Sequence, residues 1–472
     1  MRRLLLVALL LVACKKDDSK PKPGAAVKTA ADPCAKAKVE GGLAWIHDDY
    51  AAAVACAKQK GLPLVLDLWA PWCHTCLSMQ STVFVDPSFE AHADKFVFAA
   101  LDTDREVNAA AVDKFPLSAW PTFYVIGHDE NVLARFVGAA SVAQFHAFLD
   151  AGARAMKGGA VGPDEHLLNA ERAVAAKDHA KAEAELTAAL AAAPAEWPRK
   201  ADALVSLIGT KAKRKDLAGC LDVGEQYMDQ TGNAACASDF LSHAMGCATD
   251  LAKDSKDPAV IERVKKLRER AVARWQALAD DKTTPMSVDD RSDVMMYLRD
   301  TLGELGRKDE AKRVAEAQRA MLDAAAAKAP TPMAAMTYNW PRAEVYVYLE
   351  KPLELVPALE KSAADLPNEY DPLARLGWIY LKAGKLDEAV KWTDKALALV
   401  YGPRKVRVLN QRAEIAVKLG DKATERSMRE QIVKLYESMP VGHANPDALA
   451  KAKQTLAELD KAGSGSALPA AK

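Results

Sequence analysis

The residues equipped for chemistry cluster at Trp69-Ala70-Pro71-Trp72-Cys73-His74-Thr75-Cys76. Two cysteines three positions apart can close a disulfide with each other or resolve a mixed one. The apolar run Leu62 to Leu68 before them reads as a buried strand interrupted by one acid, Asp67. The residues after them open a helix. At a helix N-terminus the unpaired backbone N–H groups and the helix dipole favour an anion. A thiolate at Cys73 is stabilised there, and the thiolate is the reactive form of cysteine. Half a zinc site is the competing use of such a pair, but no second pair at ligand spacing follows. Haem attachment needs a His after the second Cys, and Leu77 stands there. No metal or other cofactor is expected.

The elements that position this motif are legible around it. Gly42 to Ile46 reads as a short strand and Asp49 to Lys58 as an amphipathic helix closed by Gly61. Phe96 to Leu101, Thr122 to Ile126 and Val132 to Val137 read as further strands. Gly127 to Asn131 supplies the turn of a terminal hairpin, and Ser141 caps a last helix from Val142 to about Met156. Strands alternating with helices imply a mixed sheet with helices on its faces, an α/β domain over residues 39–157.

This stretch, about a quarter of the chain, resembles the thioredoxin family. Asp67, six positions before Cys73, matches the family's buried acid. Trp69 and Trp72 flank the motif, Trp120-Pro121-Thr122-Phe123 matches the strand-opening cis-proline element, and Gly138 matches a glycine after the terminal hairpin. Phe84-Val85-Asp86-Pro87-Ser88-Phe89 looks closer to the C-terminal domain of periplasmic thiol:disulfide interchange proteins than to small cytosolic thioredoxins. The resemblance implies that Cys73 attacks and Cys76 resolves. It implies that Asp67, buried with a raised pKa, relays protons to Cys76. Pro121, if cis, shapes a surface where a substrate strand pairs, and Trp72 and Trp120 form its apolar rim. Two departures stand out. Ala100 occupies the place of the lysine that accompanies the buried acid, and Ser81 stands where the helix usually has proline. His74 lies between the cysteines, where its protonated ring would stabilise the thiolate and favour oxidising behaviour. A solvent-facing His fits the sequence equally well.

Gly158 to Asp164 reads as a linker, and residues 165–461 as an all-α array. Leu373, Leu376, Gly377 and Tyr380 share one helix face, Gly384-Lys385-Leu386-Asp387 turns the chain, and Ala389, Thr393, Ala396 and Leu397 form the facing stripe. The stretch from Asp371 to Ala396 resembles a tetratricopeptide repeat. Similar units lie around Leu298 to Ala311, around Ala170 to Pro194, and around Ala413 and Gly420. Their spacing exceeds the family period of about 34 residues, so the repeats are degenerate. Such units bury their apolar stripes only by stacking, and the resulting solenoid is expected to recruit a protein client or partner. The tail from residue 462 reads as disordered.

The first fourteen residues read as a targeting segment. Met1-Arg2-Arg3 is a basic head, Leu4 to Val12 is an apolar run too short to span a bilayer, and Ala13-Cys14 follows. This resembles the lipobox of bacterial lipoproteins, with cleavage after residue 13 and Cys14 as the lipid anchor. Residues 14–38 then read as a flexible tether. The expectation is an extracytoplasmic protein, lipid-anchored to a bacterial membrane on the periplasmic side. By analogy with enteric bacteria, Lys15 in place of Asp favours the outer membrane.

Composition narrows the partners. Lys and Arg total 64 and Asp and Glu total 64, so the net charge is zero and there is no electrostatic footprint for nucleic acid. Hydrophobic residues at 50% allow sizeable cores, and aromatics at only 6% favour packed helices over an all-β fold. In an oxidising compartment the other cysteines can pair. Cys34 with Cys56 would staple the tether to the first helix, and in an antiparallel helix pair turning near Gly232 Cys220 would lie nearest Cys247, leaving Cys236 free; free buried thiols are the ordinary alternative, and sequence does not fix connectivity. The expected function is thiol–disulfide exchange with protein cysteines, in a direction the sequence does not give. The rival is a non-enzymatic scaffold whose thioredoxin-like module is structural.

Overall fold

The computed structural model describes residues 32–464. Cys14, the targeting segment and residues 15–31 of the tether lie outside that range, as do residues 465–472 of the tail.

Six strands form one sheet in the order β1-β2-β4-β3-β5-β6: β1 Lys38–Glu40, β2 Leu43–His47, β3 Leu64–Trp69, β4 Val97–Asp102, β5 Thr122–Ile126 and β6 Val132–Val137. β3 is central, parallel to β4 and antiparallel to β5. Four helices flank the sheet: α1 Tyr50–Lys60, α2 His74–Thr82, α3 Ala109–Lys114 and α4 Val142–Met156. Alternation along β3 divides two cores. Leu64, Leu66 and Leu68 pack with Ala53, Ala57 and Phe115 on one face. Val65 packs with Met79, Phe123, Phe145 and Phe148 on the other. Asp67 falls on the Val65 side of this period-two pattern, the side covered by α2 and α4.

Sixteen α-helices follow among the described residues, from Pro163–Ala175 to Pro446–Ser464. Consecutive helices pack as hairpins. Gly306, Gly384 and Gly420 take the same place in three of them, each with φ between +70° and +76°, a region that Cβ-bearing residues rarely adopt. Leu376, Ala389, Thr393 and Ala396 are fully buried, as their stripes predict, while Leu373, Tyr380 and Leu397 pack at the margins.

The array curls around the sheet domain instead of trailing from it. Helix Lys200–Lys213 packs on β6, and buried Arg199 donates to the carbonyl of Arg135 at 2.8 Å and to Glu171 at 2.9 Å. Gln144 of α4 donates to the sulfur of Cys236 at 2.9 Å. Helices Val288–Glu304 and Pro332–Met336 pack on α2, Tyr401 donates to Asp102, and the 3-10 turn Val441–His443 packs on α3.

Three boundaries differ from the sequence reading. The tether ends earlier than residue 38, because Pro33–Lys36 form a 3-10 turn stapled to α1 by the Cys34–Cys56 disulfide. β1 was not foreseen: its three residues are all exposed, so no apolar pattern marks it. The array begins at Pro163, inside the expected linker, and its last helix runs three residues into the expected tail. The structure also pairs Cys220 with Cys247 and leaves Cys236 a buried thiol.

Candidate functional site

Strand β3 delivers the chain to Trp69, a tight turn follows, and α2 starts at His74 with Cys73 as its N-cap. The Cys73 sulfur accepts the backbone N–H of Cys76 at 3.0 Å, so a helix-terminal donor is aimed at the sulfur itself. Cys73 and Cys76 are joined by a disulfide, with Cα atoms 5.2 Å apart. Cys73 is 4% exposed and Cys76 1%. The pair is therefore assembled, with only an edge of Cys73 reaching the surface.

Asp67 sits in mid-β3, opposite Ala100 on β4 and Phe123 on β5. It is buried, and its Oδ1 has no hydrogen-bond partner. Burial pushes its carboxyl up to about 8. The strand position directly beside it is Ala100. A cavity of about 320 Å³ occupies this space, lined by Asp67, Trp69, Gln80, Phe84 and Ala100. The ionisable neighbours His47 and Glu40, on the rim of the same cavity, lie 3.1 Å from each other. The indole N–H of Trp69 is also buried without a partner.

The Trp120–Pro121 peptide is cis. Pairing of Leu68 with Thr122 puts Pro121 level with Trp69, beside the segment that leads into Cys73. Trp120 is 37% exposed and donates to Thr103 Oγ1 at 2.8 Å. Trp72 and Trp120 meet edge to face, with centroids 5.0 Å apart.

The helical array enters the site at two places. His74 is not solvent-facing: its Nδ1 lies 3.0 and 2.9 Å from the two carboxylate oxygens of Asp289, at the start of helix Val288–Glu304. Burial works against a charged ring, but the carboxylates of Asp289 and Asp293 outweigh it and push His74 up to about 9. Ser78 and Ser287 add a hydroxyl contact of 3.0 Å between the same two helices. On the other flank, Trp72 donates its indole N–H to Asp104 at 2.7 Å while the Arg404 guanidinium lies over its ring at 4.1 Å. Burial pushes the Asp104 carboxyl up to about 7. Trp72 is thus half-covered and is not a free rim.

The expected residues Trp72, Cys73, His74, Cys76, Trp120 and Pro121 lie around the end of β3 at Trp69, and Asp67 lies two residues inside that strand. Cys14 falls outside the described residues. Asp289, Asp104 and Arg404 were missed. Asp289 and Arg404 belong to helices far along the chain, and no local spacing ties them to Cys73. Among the described residues, no group of three or more His, Cys, Asp and Glu side chains is arranged to hold a metal ion.

The sheet order, the cis-proline and the cysteine pair at the head of α2 define a thioredoxin-like domain joined to a tetratricopeptide-like helical array. Comparison with known proteins agrees for the first part: residues 45–126 match the family model described as thioredoxin-like. An H-type thioredoxin of Oryza sativa subsp. indica is 33% identical over 82 residues, which are 17% of this chain and 61% of that protein. The chain thus spans less than two thirds of that relative's length. Among solved structures, a tetratricopeptide repeat protein from Parabacteroides merdae aligns over 62% of this chain and 98% of its own, at 14% identity and a TM-score of 0.40. A thermophilic tetratricopeptide repeat protein from Thermus thermophilus aligns over 54% of this chain and 98% of its own, at 19% identity and a TM-score of 0.25.

Proposed function

We propose that the protein is a thiol–disulfide oxidoreductase acting on protein cysteines, with the helical array recruiting the client. The observation that carries this is the Cys73–Cys76 disulfide at the head of α2, with a helix-terminal N–H aimed at the Cys73 sulfur. In the oxidising direction a client thiolate attacks Cys73 Sγ. The Cys73–Cys76 bond breaks, and Cys76 leaves as a thiolate that takes a proton from Asp67. A second client thiolate then attacks the client sulfur of the mixed disulfide, Cys73 leaves as a thiolate, and the client carries away the disulfide. Two electrons pass from client to enzyme, and the reverse sequence reduces a client. His74, next to Cys73 and held by Asp289, favours the Cys73 thiolate as leaving group.

Replacing Cys76 by Ser in the full chain tests this. Cys73 should then retain a client as a mixed disulfide that dithiothreitol releases. No such adduct with any reduced or oxidised protein would overturn the reading. The scaffold alternative draws on the near-complete burial of both sulfurs; it requires that removing both cysteines leaves the phenotype intact.

The proposed setting is outside the cytoplasm, with Cys14 lipidated. The Cys34–Cys56 and Cys220–Cys247 disulfides support an oxidising compartment. Metabolic labelling with a palmitate analogue, lost in Cys14→Ala, checks the anchor.

A further inference from the structure

Between the sheet domain and the far end of the array lies a groove of about 810 Å³. One wall carries Trp72, Trp120 and Asp104, and the other carries Arg404, Arg407 and Tyr436. Its sheet-side wall is therefore made by the chain neighbours of Cys73 and Pro121. The opposite flank of α2 is closed by helices Val288–Glu304 and Pro332–Met336.

The charges of this groove are unevenly satisfied. Neither Arg404 nor Arg407 donates a hydrogen bond or joins an ion pair among the described residues; they overlie the indole rings of Trp72 and Trp340 respectively, and feel the charge of Asp371, and in the case of Arg404 of Asp104, only at longer range. Arg375, beside them, already holds the carboxylate of Asp371 at 2.8 Å. The acids of the lining are occupied: Asp104 accepts from Trp72, and Asp113 pairs with Lys177 at 3.0 Å. Helix Arg404–Leu419 opens onto the groove with no side-chain cap, so its N-terminus adds positive potential. Guanidinium groups laid over aromatic faces keep their N–H edges free for a carboxylate.

We infer that this groove binds an extended client segment with an Asp or Glu close to its reacting cysteine, the acid being taken by Arg404 and Arg407. The inference rests on the proposed exchange activity for its purpose, but its test does not need that chemistry. Two peptides are titrated against the oxidised full-length chain, each with Ser in the cysteine position and flanked by two glutamates or by two lysines. Two partly exposed ion pairs at about 0.5–1 kcal/mol each give the glutamate peptide a preference of roughly fivefold to thirtyfold. Arg404→Gln with Arg407→Gln should erase that preference, and Arg407→Gln alone, at an exposed position, should remove part of it. Equal affinity, tighter binding of the lysine peptide, no binding of either, or a preference that survives in the folded double variant would each overturn the inference. Selective binding of the glutamate peptide without any disulfide exchange of its cysteine form would instead leave the groove standing and remove the proposed activity.

Discussion

His74 and Asp289 lie 215 positions apart in sequence, yet imidazole Nδ1 reaches both oxygens of the carboxylate within 3.0 Å. The contact joins the first turn of α2 to the first turn of a helix in the array. Asp289 is 1% exposed and His74 20%. The folded protein holds the His74 proton up to about 9, against an ordinary value of 6.5. The stability this supplies is therefore complete below pH 6.5 and lost as pH rises through about 9. Asp289→Asn should flatten most of the fall in unfolding free energy between pH 7 and 9, which is about 2 kcal/mol in all, the remainder being held by Asp293. Denaturant titrations of both proteins across that range measure it, and parallel curves would show the pair to be uncoupled from folding.

Asp67 predicts a trade between stability and rate. Its carboxyl is pushed up from 3.8 to about 8 by burial, so it costs stability progressively as pH rises from 3.8 through 8. Asp67→Asn should unfold at higher denaturant at pH 8.5, by a few kcal/mol. The same variant should slow exchange by about a hundredfold and lose the inflection near pH 8 in its rate profile, because the acid proposed to protonate Cys76 is gone. A pH–rate profile unchanged by the substitution would take Asp67 out of the proton path.

Gly402 shows how tightly the array is seated. A Cβ there would lie 1.9 Å from the carbonyl oxygen of Asp104, and its φ of +56° disfavours any larger residue. Gly402→Ala should lift the Tyr401–Arg404 segment from Trp72 and cost about 1–3 kcal/mol. Alkylation of Cys73 in the reduced protein should then be faster than in the native chain. An unchanged alkylation rate would mean that this segment does not limit access to the sulfur.

Sequence and structure agree where the information is local. The strand before Cys73, the helix opened by the cysteine pair and the β5–β6 hairpin are written in short periodicity and turn chemistry, while Asp67 and the Trp120–Pro121 element were legible through the resemblance to the thioredoxin family. Ser141 does cap α4, with Gln144 completing a reciprocal capping box. What was hidden is tertiary. The Asp102–Tyr401 bond spans 299 positions, and no pattern around either residue encodes it. β1 was hidden for a different reason: it is held by pairing with β2 and has no buried face of its own to mark it.

The central claim concerns electron transfer between Cys73–Cys76 and the cysteines of another protein. The most direct measurement mixes the oxidised full-length chain with a reduced, unfolded protein bearing two cysteines and follows the intact mass of each. The account predicts that this chain gains two hydrogen masses as the client loses two, one for one, and that Cys73→Ser abolishes the change. A disulfide that small dithiols reduce readily but that exchanges with no protein thiol would contradict it.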